Sequence, residues 1–154
     1  MKKLLYLSLA LCLLTTVASS QKITEKDLQG KWKLASFTAD GVTFDIEKGV
    51  VTISEETKAG LPPEALAQLK SNADAAIEPF KQAYVIFEGN KVKQTMGMES
   101  NEGTFTVIEK DKQQYLHATY GEITDDAGVL IKDKRLHLTI NGDGDDALMI
   151  YTKQ

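Results

Sequence analysis

The chain has a single cysteine, Cys12, and it lies inside an uncharged apolar run from Leu4 to Val17. Lys2 and Lys3 precede that run. Ala18 and Ser20 place small side chains at the third-last and last positions before Gln21, the pattern a signal peptidase cleaves. Residues 1–20 are therefore predicted to be a cleaved signal peptide and residues 21–154 the mature domain, periplasmic or secreted. The run is short for the rival reading, an uncleaved membrane anchor. Cys12 follows Leu11 rather than a small residue and sits mid-run, which speaks against a lipid-modified cysteine. Without the leader no cysteine remains, which excludes disulfides, thiolate metal sites and cysteine nucleophiles together.

Clustered positive charge is also missing. Removing the first 20 of 154 residues leaves 134, enough for one domain with its own core. Taking two lysines from 18 basic residues leaves 16 against 22 acidic ones, a net charge of −6 with histidine neutral. The lysines are scattered, so nucleic acid and anionic lipid are not expected partners, because phosphate binding needs grouped Lys and Arg. Catalytic signatures are lacking too: there is no Gly-X-Ser-X-Gly elbow, no His-Glu-X-X-His helix and no phosphate-binding glycine loop. The expectation is a non-enzyme with no catalytic residue and no cofactor. No repeat or low-complexity tract suggests a second domain.

What the mature chain does contain is a succession of short alternating segments separated by turn residues, the pattern of antiparallel hairpins. Lys31–Thr38 alternates with Trp32, Leu34 and Ser36 on one side, and Val42–Asp45 and Gly49–Ser54 follow. Later segments are Tyr84–Glu88, Lys91–Met98, Gly103–Glu109, Gln113–Tyr120, Gly128–Ile131, Arg135–Asn141 and Ala147–Thr152, with turns assigned to Ser100–Glu102 and Asp125-Asp126 among others. One stretch breaks the pattern. After Pro62-Pro63, the residues Leu66, Leu69, Ala73, Ala76, Ile77 and Phe80 recur at helical spacing, predicting an amphipathic helix over about 62–82. Pro79 is expected to kink or end it. Such a helix would cover a barrel wall or mouth, either fixed or as a lid. The fold class is thus all-β, an antiparallel up-and-down barrel with one inserted helix. Closure removes the free edges of a chain that has no disulfide.

The segment Asp27–Leu34 carries Gly30-Lys31-Trp32 just before an alternating strand. It resembles the Gly-X-Trp opening of the lipocalin superfamily, and most closely the secreted bacterial lipocalin-like domains. The resemblance spans most of residues 27–153 and implies an up-and-down barrel in which Trp32 plugs the closed end. The superfamily's later motifs are not recognisable, so no other residue carries over.

Within Lys91–Met98, Val92, Gln94, Met96 and Met98 share a face opposite Lys91, Lys93 and Thr95. The lysine face belongs to solvent, so Gln94, Met96 and Met98 are expected to look inward, with Phe105 and Val107 facing the same space. Methionine suits adaptable binding surfaces, and an inward glutamine needs a partner. Trp32, Gln94, Met96, Met98 and Phe105 are therefore the candidate ligand-binding residues, although a barrel of this size can equally be filled by its own side chains. His117 and His137 sit opposite apolar faces and are read as outward. Neither has a defined carboxylate partner in the sequence, so no metal site is expected. Asn141–Asp146 alternates oxygen ligands, but Asp146 and Thr152 stand where a calcium loop needs glycine and glutamate, so it is read as a hairpin turn.

The expected function is an exported binding protein holding a small apolar ligand. The alternative is a structural or interaction module, an inhibitor or envelope component with a filled barrel, working through an exposed apolar patch such as the Leu66–Phe80 helix. No protein partner is identifiable. Intact-mass measurement of protein recovered from outside the cytoplasm should give a chain starting at Gln21, and a species retaining Met1–Ser20 would contradict the cleavage.

Overall fold

A computed structural model describes residues 22–141 and 146–154. The predicted leader lies outside the described residues, as do positions 142–145 of the oxygen-rich turn.

A short helix α1 (Glu25–Leu28) leads into ten strands and two further helices. These are β1 (Gly30–Ala39), β2 (Val42–Asp45), β3 (Val50–Ile53), α2 (Glu55–Gly60), α3 (Pro63–Phe80), β4 (Tyr84–Glu88), β5 (Lys91–Met96), β6 (Glu99–Lys110), β7 (Gln113–Tyr120), β8 (Ile123–Lys132), β9 (Arg135–Asn141) and β10 (Asp146–Lys153). Strands β4 to β10 pair antiparallel in chain order. β10 then returns to β1, and the two close an eight-stranded barrel with β4 on the other edge of β1. The fold is the expected up-and-down barrel with one inserted helix.

β1 serves two partners. Its first half, Gly30–Lys33, pairs with β4, and its second half, Ser36–Ala39, pairs with β2. A bulge between Leu34 and Ser36 marks the change. An extra residue in one strand reverses its alternation, so Trp32 and Leu34 face inward below the bulge and Phe37 above it. The expected inward Ser36 is thereby corrected: Phe37 lies opposite buried Met149, while Ser36 pairs with Ile150. The free carbonyl of Ala35 accepts the Ile46 N–H at 2.8 Å, which folds the β2–β3 turn back onto β1.

Beyond Lys33 the space beside β1 is taken by the β2–β3 hairpin and by α3, which packs on β3. Pro63 opens α3, where its missing donor costs little. Pro79 stands one residue before the end of the helix. The apolar stripe predicted for this helix is packed rather than displayed. Ala73 and Ile77 are buried, Leu66 and Leu69 lie against Val42 and Ile53, and the Phe80 ring centroid is 5.8 Å from Phe37 and 5.9 Å from Phe44.

Three strand limits differ from the sequence reading, each for a local reason. The β5–β6 turn falls at Gly97-Met98, not at Ser100–Glu102, because Gly97 takes φ +60°, which glycine adopts freely. Met98 therefore does not face inward: it sits in the turn and its side chain is fully exposed. Gly121, at φ +63°, likewise moves the β7–β8 turn ahead of Asp125-Asp126 and leaves both acids inside β8. Third, Gly103 begins no strand but lies within β6. A Cβ there would meet the Thr119 carbonyl oxygen at 2.0 Å and Tyr120 Cδ1 at 2.9 Å, so the Tyr120 ring lies directly over the glycine.

The barrel core is built from alternate residues, among them Val85 and Phe87 on β4, Leu116 and Ala118 on β7, Leu136 and Leu138 on β9, and Met149 and Tyr151 on β10. Replacing Gly103 by Ala should lower stability by about 1–3 kcal/mol through overpacking. Gly128→Ala is the control, since its Cβ would find only an ordinary contact at 3.6 Å with Thr139; it should stay within about 0.5 kcal/mol of the parent. Urea denaturation of both variants checks this, and equal effects would refute the close-approach role of Gly103.

Candidate ligand cavity

The two ends of the barrel are built differently. At the first, α1 lies across the opening. Its Leu28 is fully buried, and the Leu28 carbonyl accepts the Trp32 indole N–H at 2.6 Å. The helix is capped by its own residues and tethered to the barrel, at one end through Gly89, whose N–H donates to Gln29 Oε1 at 2.8 Å. The Asp27 carboxylate accepts the Thr24 backbone N–H at 2.8 Å and its hydroxyl at 2.7 Å. Glu25 accepts the Val107 N–H at 2.9 Å and the Thr106 hydroxyl at 3.0 Å. Those donors, with the Val107 N–H foremost, hold the Glu25 carboxyl below its usual pKa. Gln114 completes the seal by exchanging two hydrogen bonds of 2.8 Å with the Ile23 backbone.

The other end stays open. Between β4, β5 and β7–β10 lies a cavity of about 510 Å³, with walls that include Val85, Leu116, Ala118, Leu138 and Met149. That volume falls within the roughly 300–1,000 Å³ of small-molecule sites. A larger hollow, about 720 Å³, runs along the outer face between Tyr115, Leu130, His137 and Leu148, and its walls are exposed sheet rather than core.

Of the polar residues that line the inner cavity, Gln94, Tyr120, Asp125 and Tyr151 lie on the inward sides of their strands, while Thr124, Asp126 and Asn141 stand at its rim. Each of the inward four is placed by strand alternation. Tyr151 lies two residues from Met149, and its buried hydroxyl donates to Met149 Sδ at 3.3 Å, a weak acceptor. Burial, and next the neighbouring Tyr120, push its pKa well above the ordinary 10.0, while the Gln94 amide beside it acts the other way. Tyr120 is also raised, first by burial and then by the Asp125 carboxylate. Asp125 shares the inward face because it is paired with buried Ala118. Its neighbour Asp126 points outward, where Lys110 Nζ and His117 Nδ1 each approach it at 2.6 Å. Lys110 first and His117 second keep that carboxyl below its usual range.

The five residues singled out from sequence separate. Gln94 lines the cavity, and Met96 is half-buried against the core nearby. Trp32 lies beneath the cavity at the α1 end, with Lys153 Nζ 5.0 Å above its ring. Phe105 packs edge-on against Phe87 at 4.7 Å, in the filled half of the barrel. Met98 is outside. Tyr120, Tyr151 and Asp125 were missed. The alternation of Leu116, Ala118 and Tyr120, and of Met149 and Tyr151, does carry the signal for the two phenols. Asp125 was concealed because two acids before Ala-Gly look like a turn. His117 does have a carboxylate partner, Asp126, supplied by β8 rather than by any sequence neighbour. Among the described residues, no three His, Cys, Asp or Glu side chains converge as metal ligands do.

No protein-family model matches this chain, and no curated protein sequence does. Among solved structures, it is similar to the crystal structure of a DUF4847 family protein from Bacteroides vulgatus. The TM-score is 0.50 at 14% identity, with 84% of this chain and 97% of that one covered. The likeness concerns the fold alone. Together with the closed antiparallel barrel, it fits a lipocalin-like architecture.

The raised phenols give stability a definite pH dependence. Below the ordinary tyrosine pKa of 10.0 both folded and unfolded chains keep these protons. Above it the unfolded chain ionises first, so stability falls with rising pH. Between about pH 9 and 11 the melting temperature should drop, and Tyr151→Phe should make that drop shallower. An unchanged slope in the variant would refute the buried-phenol assignment.

Proposed function

We propose that this is an exported binding protein that holds a small, mainly apolar molecule in the open half of its barrel. The observation that carries this reading is the cavity of about 510 Å³, apolar in its walls and supplied with a few inward polar groups. Sites for small molecules combine a mostly apolar lining with a few fixed polar contacts in this way. Fixed polar groups set in apolar walls are the arrangement by which a protein orients a bound molecule. Export rests on the N-terminal sequence pattern.

The alternative, a module acting through its outer surface, draws on a different feature. Tyr115, Gly128, Thr139 and Leu148 form one row across β7–β10, with Leu130 beside it 47% exposed. That row floors a groove rimmed by Lys22, Glu109, Lys112 and His137, whose mixed charge selects no one kind of partner.

The two readings separate in one experiment. The neutral probe N-phenyl-1-naphthylamine should bind the parent protein with enhanced fluorescence. Ala127→Leu, which narrows the cavity from β8, should weaken binding by at least about tenfold, or about 1.4 kcal/mol. Leu130→Glu on the outer face should leave binding unchanged. Sensitivity to the outer substitution alone would overturn the cavity reading, and circular dichroism of both variants checks that the barrel persists.

A further inference from the structure

Charge is distributed unequally between the two ends of the barrel. The hairpin turns at the α1 end are balanced, with Glu88 and Lys91, Asp111 and Lys112, and Asp133 and Lys134. Around the open end stand Asp40, Glu99, Glu122 and Asp146. The lysines of the neighbouring helices are already matched on their own helix: Lys58 with Glu55, Lys70 with Asp74, and Lys81 with Glu78. Approach to the mouth is therefore favourable for cations and unfavourable for anions.

Asp125, itself exposed, carries that bias to the rim of the cavity. It lines the cavity on the same inward face as Ala118, next to Tyr120. Asp126, one residue along, has Lys110 and His117 as partners on the outside. Among the described residues, no cation pairs with Asp125. A ligand that covered this carboxylate without replacing its water would incur the cost of an unsatisfied charge. A head group that is positive and donates hydrogen bonds removes that cost, and the Tyr120 ring beside it is a surface on which an ammonium group can rest.

We infer that the cavity takes an amphiphile with a cationic nitrogen head, held at the mouth by Asp125 while its apolar body lies against Ala118, Leu138 and Met149. This deepens the reading of the cavity as a ligand site and rests on it. The Gln94 amide and the Tyr151 hydroxyl, farther from the rim, then meet whatever polar atom the body carries.

Competition against N-phenyl-1-naphthylamine with three ligands of one chain length tests the inference. Decylammonium should displace the probe at about tenfold lower concentration than 1-decanol, and decanoate should be the weakest. In Asp125→Asn, decylammonium should come within about twofold of 1-decanol, whose own affinity should not change. Decanoate matching decylammonium, or a cation preference that survives in Asp125→Asn, would overturn the head-group assignment. Equal displacement by all three would also overturn it while leaving the cavity reading intact. Displacement by none would remove both.

Discussion

The fold depends on β1 pairing with three strands at once within a single sheet. Along one edge it is paired throughout with β10, which closes the barrel. Along the other it is shared, with β4 taking the first half and β2 the second. A regular strand cannot do this and keep its apolar residues inside, because a strand that changes direction loses its phase. The bulge after Leu34 resolves the conflict. Trp32 and Leu34 serve the closed end, and Phe37 serves the upper half, where it stacks with Phe44 at 5.9 Å. The place of α3 follows from the same arrangement. Once β2 leaves with its hairpin, the upper wall between β3 and β4 must be covered by something apolar on one face. The Ala73, Ile77 and Phe80 stripe provides that cover.

Much of this was legible in the sequence, and the illegible parts have a common cause. The succession of strands, the long helix α3 and the closed barrel follow from period-2 and helical spacing, which depend on burial of one face, whereas the short helices α1 and α2 bury too little to show such a period. Turn positions were read less well, because glycine has two uses. At Gly97 and Gly121 it supplies a left-handed backbone, whereas at Gly103 it supplies room for the Thr119 carbonyl and, beyond it, the Tyr120 ring. Only the fold tells these apart. The same holds for Asp125 and Asp126. Adjacent acids are turn-like in one dimension, but within a strand their side chains part to opposite faces, one into the cavity and one to Lys110 and His117. The inward set on β5 was legible as far as Gln94 and Met96 and failed at Met98, where the strand had already ended.

The closed end shows what a finished barrel terminus requires. Every polar group that α1 brings there is satisfied by a neighbour: the indole of Trp32 by Leu28, the Glu25 carboxylate by β6, and the Ile23 backbone by Gln114. Apolar residues then fill the space, with Phe87 and Phe105 in edge-to-face contact. The open end has the means to be filled in the same way, since α3 passes nearby with an apolar face. That face is instead spent on β3 and on the Phe37–Phe44 pair, and Tyr120, Tyr151, Gln94 and Asp125 are left around unfilled space.

Because that end is open, the cavity of about 510 Å³ is in contact with solvent, and its polar groups are what make water acceptable there. Those groups also constrain a ligand. An apolar molecule that expelled the water but offered nothing to Gln94, Tyr120 or Asp125 would leave polar atoms stranded at about 1–3 kcal/mol each. In the proposed binding role, the four side chains that hold water in the open barrel are the ones that would select the molecule replacing it.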